Sequence, residues 1–331
     1  MNKKRLFFSL MYIVLAGFIF IPLVQAKETR LKWGATSVRS SGYAHGVLFA
    51  KAVNQAYPGE ITITVVETGG WIENLSRMRQ GLLKLAQVNP VSAYTAYHGL
   101  FDFKDQKNPN IRMLATTAIS TFTFVAAKDT GITTIEGLHG KKMGMNPLTT
   151  SERLGRMFLE ANGIMPDYKW GGTASNLEAM KARTVDSWSR PGFRDGAIAE
   201  LALTRPLNFL PITEEHLKKY NEKYPAHGKG IISPAGQYRG HDKDYLTLAF
   251  VEGEMADKEI PADVIYKILK AVYAKRMDMV KVDASFREGG LADFPKLTME
   301  YCDVPLHPGA IKFYRELGLK IPDKLLPPEM K

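Results

Sequence analysis

Three stretches of small and hydroxyl-bearing residues have the makings of an anion site. Residues 37–42 read Ser-Val-Arg-Ser-Ser-Gly, residues 68–71 Thr-Gly-Gly-Trp, and residues 146–151 Asn-Pro-Leu-Thr-Thr-Ser. Each precedes a segment with helical spacing. A helix N-terminus offers unpaired N–H donors and about half a positive charge, and small side chains let an anion approach that backbone closely. The candidate ligand-binding residues are therefore Ser37, Ser40 and Ser41 in the first stretch, Thr68, Gly69 and Gly70 in the second, and Thr149, Thr150 and Ser151 in the third. Arg39, Arg190 and Arg194 lie in candidate cleft loops, and a guanidinium pairs with a carboxylate through two parallel hydrogen bonds. Trp71 either closes over the apolar part of a ligand or only packs on the hinge. Taken singly, each hydroxyl-rich stretch reads as a helix cap or turn; the case for a site rests on recurrence.

No comparable constellation points to catalysis. HExxH, GxSxG and GxxxxGK[ST] are all absent. The histidines at 45, 98, 139, 216, 227, 241 and 307 show no metal-ligand spacing, so no catalytic residue, metal or cofactor is expected. His307, beside Pro308-Gly309, reads as a turn histidine. Cys302 reads as a small buried apolar residue. Asn74-Leu75-Ser76 matches a glycosylation triplet but falls inside an expected helix.

The elements that would position these residues alternate between strand and helix. Apolar patterning places strands at residues 31–34, 61–66, 85–88, 142–145, 185–188 and 207–212, two apolar runs within 111–127, and a returning strand at 245–251. Helical spacing covers 44–56, 72–82, 262–279 and 310–317. Thr149-x-x-Glu152 and Ser175-x-x-Glu178 each fit a capping box, and Asn162-Gly163 a helix stop. Such alternation implies parallel sheets flanked by helices, with ligands at the carboxyl ends of the strands. Two α/β units are expected, residues 27–122 with 251–331 and residues 123–250, joined by crossing strands around a cleft.

The chain has 331 residues, 45% of them hydrophobic, and 44 Lys+Arg against 34 Asp+Glu give a net charge of +10. This is globular composition, long enough for about two domains. A single cysteine excludes an intramolecular disulfide. The positive excess is spread without a block of five like charges, which argues against a nucleic-acid partner and leaves a field that attracts small anions. Lys3, Lys4 and Arg5 precede an apolar run over 6–24 and then Val24-Gln25-Ala26. This is the pattern of a secretory leader cut after Ala26, although a retained run of this length would also span a bilayer. A periplasmic location follows.

Several segments together resemble the TAXI group of extracytoplasmic solute receptors, the binding component of one class of TRAP transporter. Ser41-Gly42-Tyr43-Ala44-His45-Gly46 is similar to its first Gly/Tyr-rich segment. Thr68-Gly69-Gly70-Trp71-Ile72-Glu73-Asn74 is similar to its TGGSxEN segment. Gly137-Leu138-His139-Gly140 resembles the segment before its second-domain strand, and Pro305-Leu306-His307-Pro308-Gly309-Ala310 its C-terminal signature. The resemblance implies a type II periplasmic-binding fold, with two α/β domains joined by hinge strands around a ligand cleft. It also implies capture of a carboxylate such as glutamate or a 2-oxoglutarate-like anion, delivery to a TRAP-type permease, and a monomer. Tyr43 and Asn74 of these segments, with Asn89 at the end of the strand over 85–88, complete the expected ligand-facing residues. Departures concentrate in the same loops: Arg39-Ser40-Ser41, Trp71, Asn89-Pro90, residues 148–151 and residues 189–194 differ from the family pattern. They leave the ligand open. A sensing module docked on a membrane kinase is the alternative expectation, and an exported enzyme on the same fold a distant third.

Overall fold

The computed structural model describes residues 28–331 other than 39–40, 148, 284–285 and 288, with only the backbone of Ser41, Asp102, Thr150 and Ser151. The expected leader, Arg39 and Ser40 lie outside the described residues.

Ten strands form one sheet among these residues, in the order β2-β1-β3-β10-β4-β7-β5-β6. One end is built on β1 (Thr29–Gly34), which pairs in parallel with β2 (Ile61–Val66) and β3 (Leu85–Val88). The other end pairs β5 (Lys142–Met145) in parallel with β6 (Asp167–Trp170) and β7 (Ser187–Pro191). Between them run β4 (Ile111–Ala127) and β10 (Tyr245–Asp257), antiparallel to each other and to their neighbours. β8 (Leu207–Phe209) extends β4, and β9 (Gly230–Ser233) extends β10. The first halves of β4 and the last of β10 therefore belong to one lobe and their other halves to the second. The β4–β10 register shifts at Glu252/Gly253 and again at Glu254/Met255, the mark of bulges, which bend and twist a strand.

Helices α1 (Ser41–Ala56), α2 (Trp71–Arg79) and α3 (Pro90–His98) follow the three strands of the first lobe. Helices α4 (Thr150–Ala161), α5 (Thr173–Lys181), α6 (Gly196–Thr204) and α7 (Glu214–Lys223) belong to the second. The chain returns to the first lobe with α8 (Ala262–Val282), α9 (Phe294–Tyr301) and α10 (Pro308–Glu316). The first lobe's core joins Trp33, Phe49, Ile265, Phe286 and Phe313. The second lobe has one core on each sheet face. Phe124, Phe158 and Tyr220 lie on the first face, and Val125, Trp188, Ile198 and Leu201 on the other. Alternate residues of β4 serve opposite faces, as the period of a strand requires.

Four expectations are corrected. The two apolar runs within 111–127 are one strand, buried on both faces. The strand placed at 185–188 runs from Ser187 to Pro191, so Arg190 stands on a strand and not in a loop. Ser175 does not cap α5: the helix begins at Thr173 behind Gly172, which makes no side-chain cap bond. The returning strand continues past Val251 to Asp257.

Candidate ligand-binding site

In the first lobe the strand ends are tied to one another by side-chain amides. Asn74, fully buried on α2, donates from Nδ2 to the carbonyls of Gly34 (3.2 Å), Ala35 (2.7 Å) and Gln87 (2.8 Å). Asn89 caps α3 by accepting from the N–H groups of Val91 and Ser92, and donates to Val251 O on β10 at 2.7 Å. Both residues therefore fix backbone. Thr68 Oγ1 donates to Ala35 O at 2.8 Å and accepts from Gly70 N. Gly70 sits at φ 116°, in the left-handed half of the map, just before α2, where glycine alone is unstrained. The Gly69 N–H donates to Glu73 Oε2 at 2.6 Å. Ser37 is exposed and Tyr43 half-buried.

The first two stretches meet at Gln87. A Cβ on Gly42 would lie 2.3 Å from Gln87 Oε1 and 2.6 Å from Thr36 Oγ1, so glycine is what lets α1 start this close. Gln87 Oε1 accepts from Trp71 Nε1 at 3.4 Å, and Gln87 Nε2 donates to Glu252 Oε2 at 3.5 Å.

In the second lobe a polar chain lines the ends of β5 and β7. Asn146 Oδ1 accepts from Trp188 Nε1 (3.4 Å) and Asn176 Nδ2 (3.3 Å), while Nδ2 donates to Thr173 Oγ1 (2.9 Å). Thr149 caps α4, accepting from Glu152 N at 3.1 Å and donating to Asn146 O. Arg190 donates from Nη1 to Thr173 Oγ1 and from Nε and Nη2 to Asp195 Oδ2, and its guanidinium lies 5.6 Å from the Trp188 ring centroid. Asp195 Oδ1 in turn caps α6. Arg194 is not part of this group: it is exposed, has φ 50°, and its N–H donates to Gln237 Oε1 at 3.5 Å.

Trp71 joins the lobes. Buried at 8% exposure, it packs 5.2 Å from Phe250 on β10 and belongs to the apolar cluster of the second lobe. Phe250 lies 6.3 Å from Phe122 on β4, and the Phe122 ring abuts α4 so closely that a Cβ on Gly155 would be 2.8 Å away. Residues 68–71 and α4 are thus linked through Phe250 and Phe122 on the crossing strands.

Sequence reasoning missed the charges beneath this junction. His45, buried on α1, has Nδ1 3.4 Å from Glu252 Oε2 and Nε2 3.7 Å from Asp283 Oδ2, and stacks on Phe286 at 3.8 Å. Burial alone favours the neutral imidazole, but the Asp283 and Glu252 carboxylates outweigh it and raise the pKa to about 9, so His45 is charged at neutral pH. Glu254, two residues along β10, accepts from Trp33 Nε1 at 3.0 Å, and burial pushes its carboxyl well above the usual range. The available signal was Glu252-x-Glu254, two acids on one face of a buried strand, where ionisable groups are rare; ending that strand at Val251 left them out.

Cys302 is fully buried, and burial pushes its thiol up to about 12, so it stays protonated and is a poor nucleophile. Among the described residues no group of three or more His, Cys, Asp or Glu could hold a metal ion, and no helix is long and apolar enough to cross a membrane.

Solved structures with this architecture are distant in sequence. XAC2383 from Xanthomonas citri bound to ATP is 14% identical, with a TM-score of 0.52 over 88% of this chain and 96% of that one. The same protein bound to chloride ion is 12% identical, with a TM-score of 0.50 over 87% and 95%. A TctC solute binding protein from Polaromonas is 11% identical, with a TM-score of 0.50 over 80% and 88%. At such identity the likeness concerns the fold, and that fold is the periplasmic-binding type: two α/β lobes joined by crossing strands. The model of the NMT1-like family matches residues 34–318, and the chain belongs to that family.

Proposed function

We propose that this chain is an exported receptor that captures a small organic anion or amino acid between its two lobes and delivers it to a TRAP-type permease, in the manner of the TAXI group. The observation that carries this reading is the aromatic bridge over the crossing strands, in which Trp71 at the start of α2 packs on Phe250, and Phe250 neighbours Phe122 of the second lobe's core. Residues 37–42, 68–71 and 148–151 would line the ligand, with Thr68 and Thr149 holding the loops through their own hydrogen bonds. Arg190 would clamp its carboxylate, sharing the guanidinium with Asp195. The lobes, residues 27–122 with 251–331 and residues 123–250, would interconvert between open and closed arrangements, and a ligand touching both would favour closure. The leader, cut after Ala26, would direct a monomer to the periplasm.

A thermal-shift screen across dicarboxylates, amino acids, oxoacids and sulfonates tests the reading, because a ligand that binds only the native state raises the melting temperature. Calorimetry of the best compound with Arg190→Ala then tests the clamp. A charge-assisted hydrogen bond contributes about 1.5–3 kcal/mol, so affinity should fall about tenfold or more. Unchanged affinity rejects Arg190, and no shift with any compound counts against the receptor.

A further inference from the structure

We infer that Glu252, held from behind by His45 and Asp283, is a specificity-determining residue that accepts a protonated nitrogen of the ligand at the base of the junction. The inference rests on the receptor reading and narrows it. Glu252 lies two residues from Phe250 on the same face of β10, and Phe250 packs against Trp71. Its contacts with His45 Nδ1 and Gln87 Nε2 both fall on Oε2. Among the described residues Oε1 has no such partner, and the side chain is 19% exposed.

The charges decide what this oxygen would receive. Asp283 faces the far side of His45, so one imidazolium stands between two carboxylates. Burial raises the Glu254 carboxyl well above its usual range, so it adds no positive charge to the group. The group as a whole carries an excess of negative charge. A ligand carboxylate placed there meets repulsion, whereas an ammonium or amidinium gains an ion pair and a charge-assisted hydrogen bond. His45 and Asp283 act as positioning residues: stacking on Phe286 and pairing at both ring nitrogens hold the imidazolium that fixes Oε2.

The test compares three matched probe sets by thermal shift and calorimetry on the purified protein: L-amino acids, the amines left by their decarboxylation, and the 2-oxo acids of the same side chains. Amino acids or amines should bind, and the matched 2-oxo acids should bind at least about tenfold more weakly. Glu252→Gln should lower the affinity for the best nitrogen-bearing probe by about tenfold or more, while Glu254→Gln leaves it within about twofold. Equal binding of 2-oxo acids, or unchanged affinity in Glu252→Gln, overturns the inference and leaves the receptor standing. The wild-type comparison decides even where a variant fails to fold. Binding in none of the three sets overturns the inference, and the receptor reading falls with it only where the dicarboxylates and sulfonates of the wider screen also give no shift.

Discussion

At Asn74 one side-chain amide serves three buried carbonyls, those of Gly34, Ala35 and Gln87. Leaving a buried polar group without its partner costs about 1–3 kcal/mol, so Asn74→Ala should lose about 3 kcal/mol, read as a lower urea midpoint with an unchanged m-value. His45 gives a pH-dependent counterpart. Its pKa is raised from 6.5 to about 9, so its contribution is fully present below about pH 6.5 and disappears as pH climbs through 9. The melting-temperature advantage of wild type over His45→Gln should be several degrees at pH 6 and shrink steadily towards pH 10. A constant difference across that range would mean that the imidazolium contributes nothing. Neither residue was legible as structural from sequence. Asn74 stood inside the most specific-looking motif and invited a ligand role, and His45 acquires its two carboxylates from segments more than two hundred residues away.

Strands were the most readable elements, because β2, β3 and β5 are short apolar runs between clear stops, and the expected bounds coincide with those observed. Helix α3 escaped notice for a physical reason. Its buried residues are small, among them Ser92, Ala93, Thr95 and Ala96, so no stripe of large apolar residues announces it, and Asn89-Pro90, noted only as a departure from the family pattern, is its cap and first-turn proline. The bulges of β10 were equally silent, since bulges follow from pairing and not from composition. Gly253 sits at one of them, and a Cβ there would lie 2.7 Å from Ala115 O and 2.2 Å from Met113 Cε. The methionine end can move aside, but the carbonyl is backbone. Gly253→Ala should therefore cost about 2 kcal/mol by overpacking the crossing strands. Gly196→Ala, where nothing lies within 4 Å, should change urea stability by no more than about 0.5 kcal/mol.

The whole molecule is two lobes on two strands, so its arrangement depends on the few contacts made away from those strands. Lys229 of the second lobe pairs with Asp303 of the first at 3.4 Å. Phe101, in a short 3-10 turn after α3, packs edge-on against Tyr224 at 5.0 Å and His227 at 6.1 Å, beyond the end of α7. Phe101 holds φ 52° to do so, a left-handed backbone that costs a bulky residue about 1–2 kcal/mol. Tyr220 and Tyr224 complete the socket around His227, which burial keeps neutral by lowering its pKa to about 4. Phe101→Gly separates the two effects: it relaxes the backbone while removing the ring. If the ring holds the lobes in this arrangement, the variant should melt within a few degrees of wild type, yet show in solution scattering a larger radius of gyration than the roughly 19 Å of a compact chain this size. An unchanged radius with a raised melting temperature would assign Phe101 to local strain alone, and the arrangement of the lobes would then rest on Trp71 and the crossing strands.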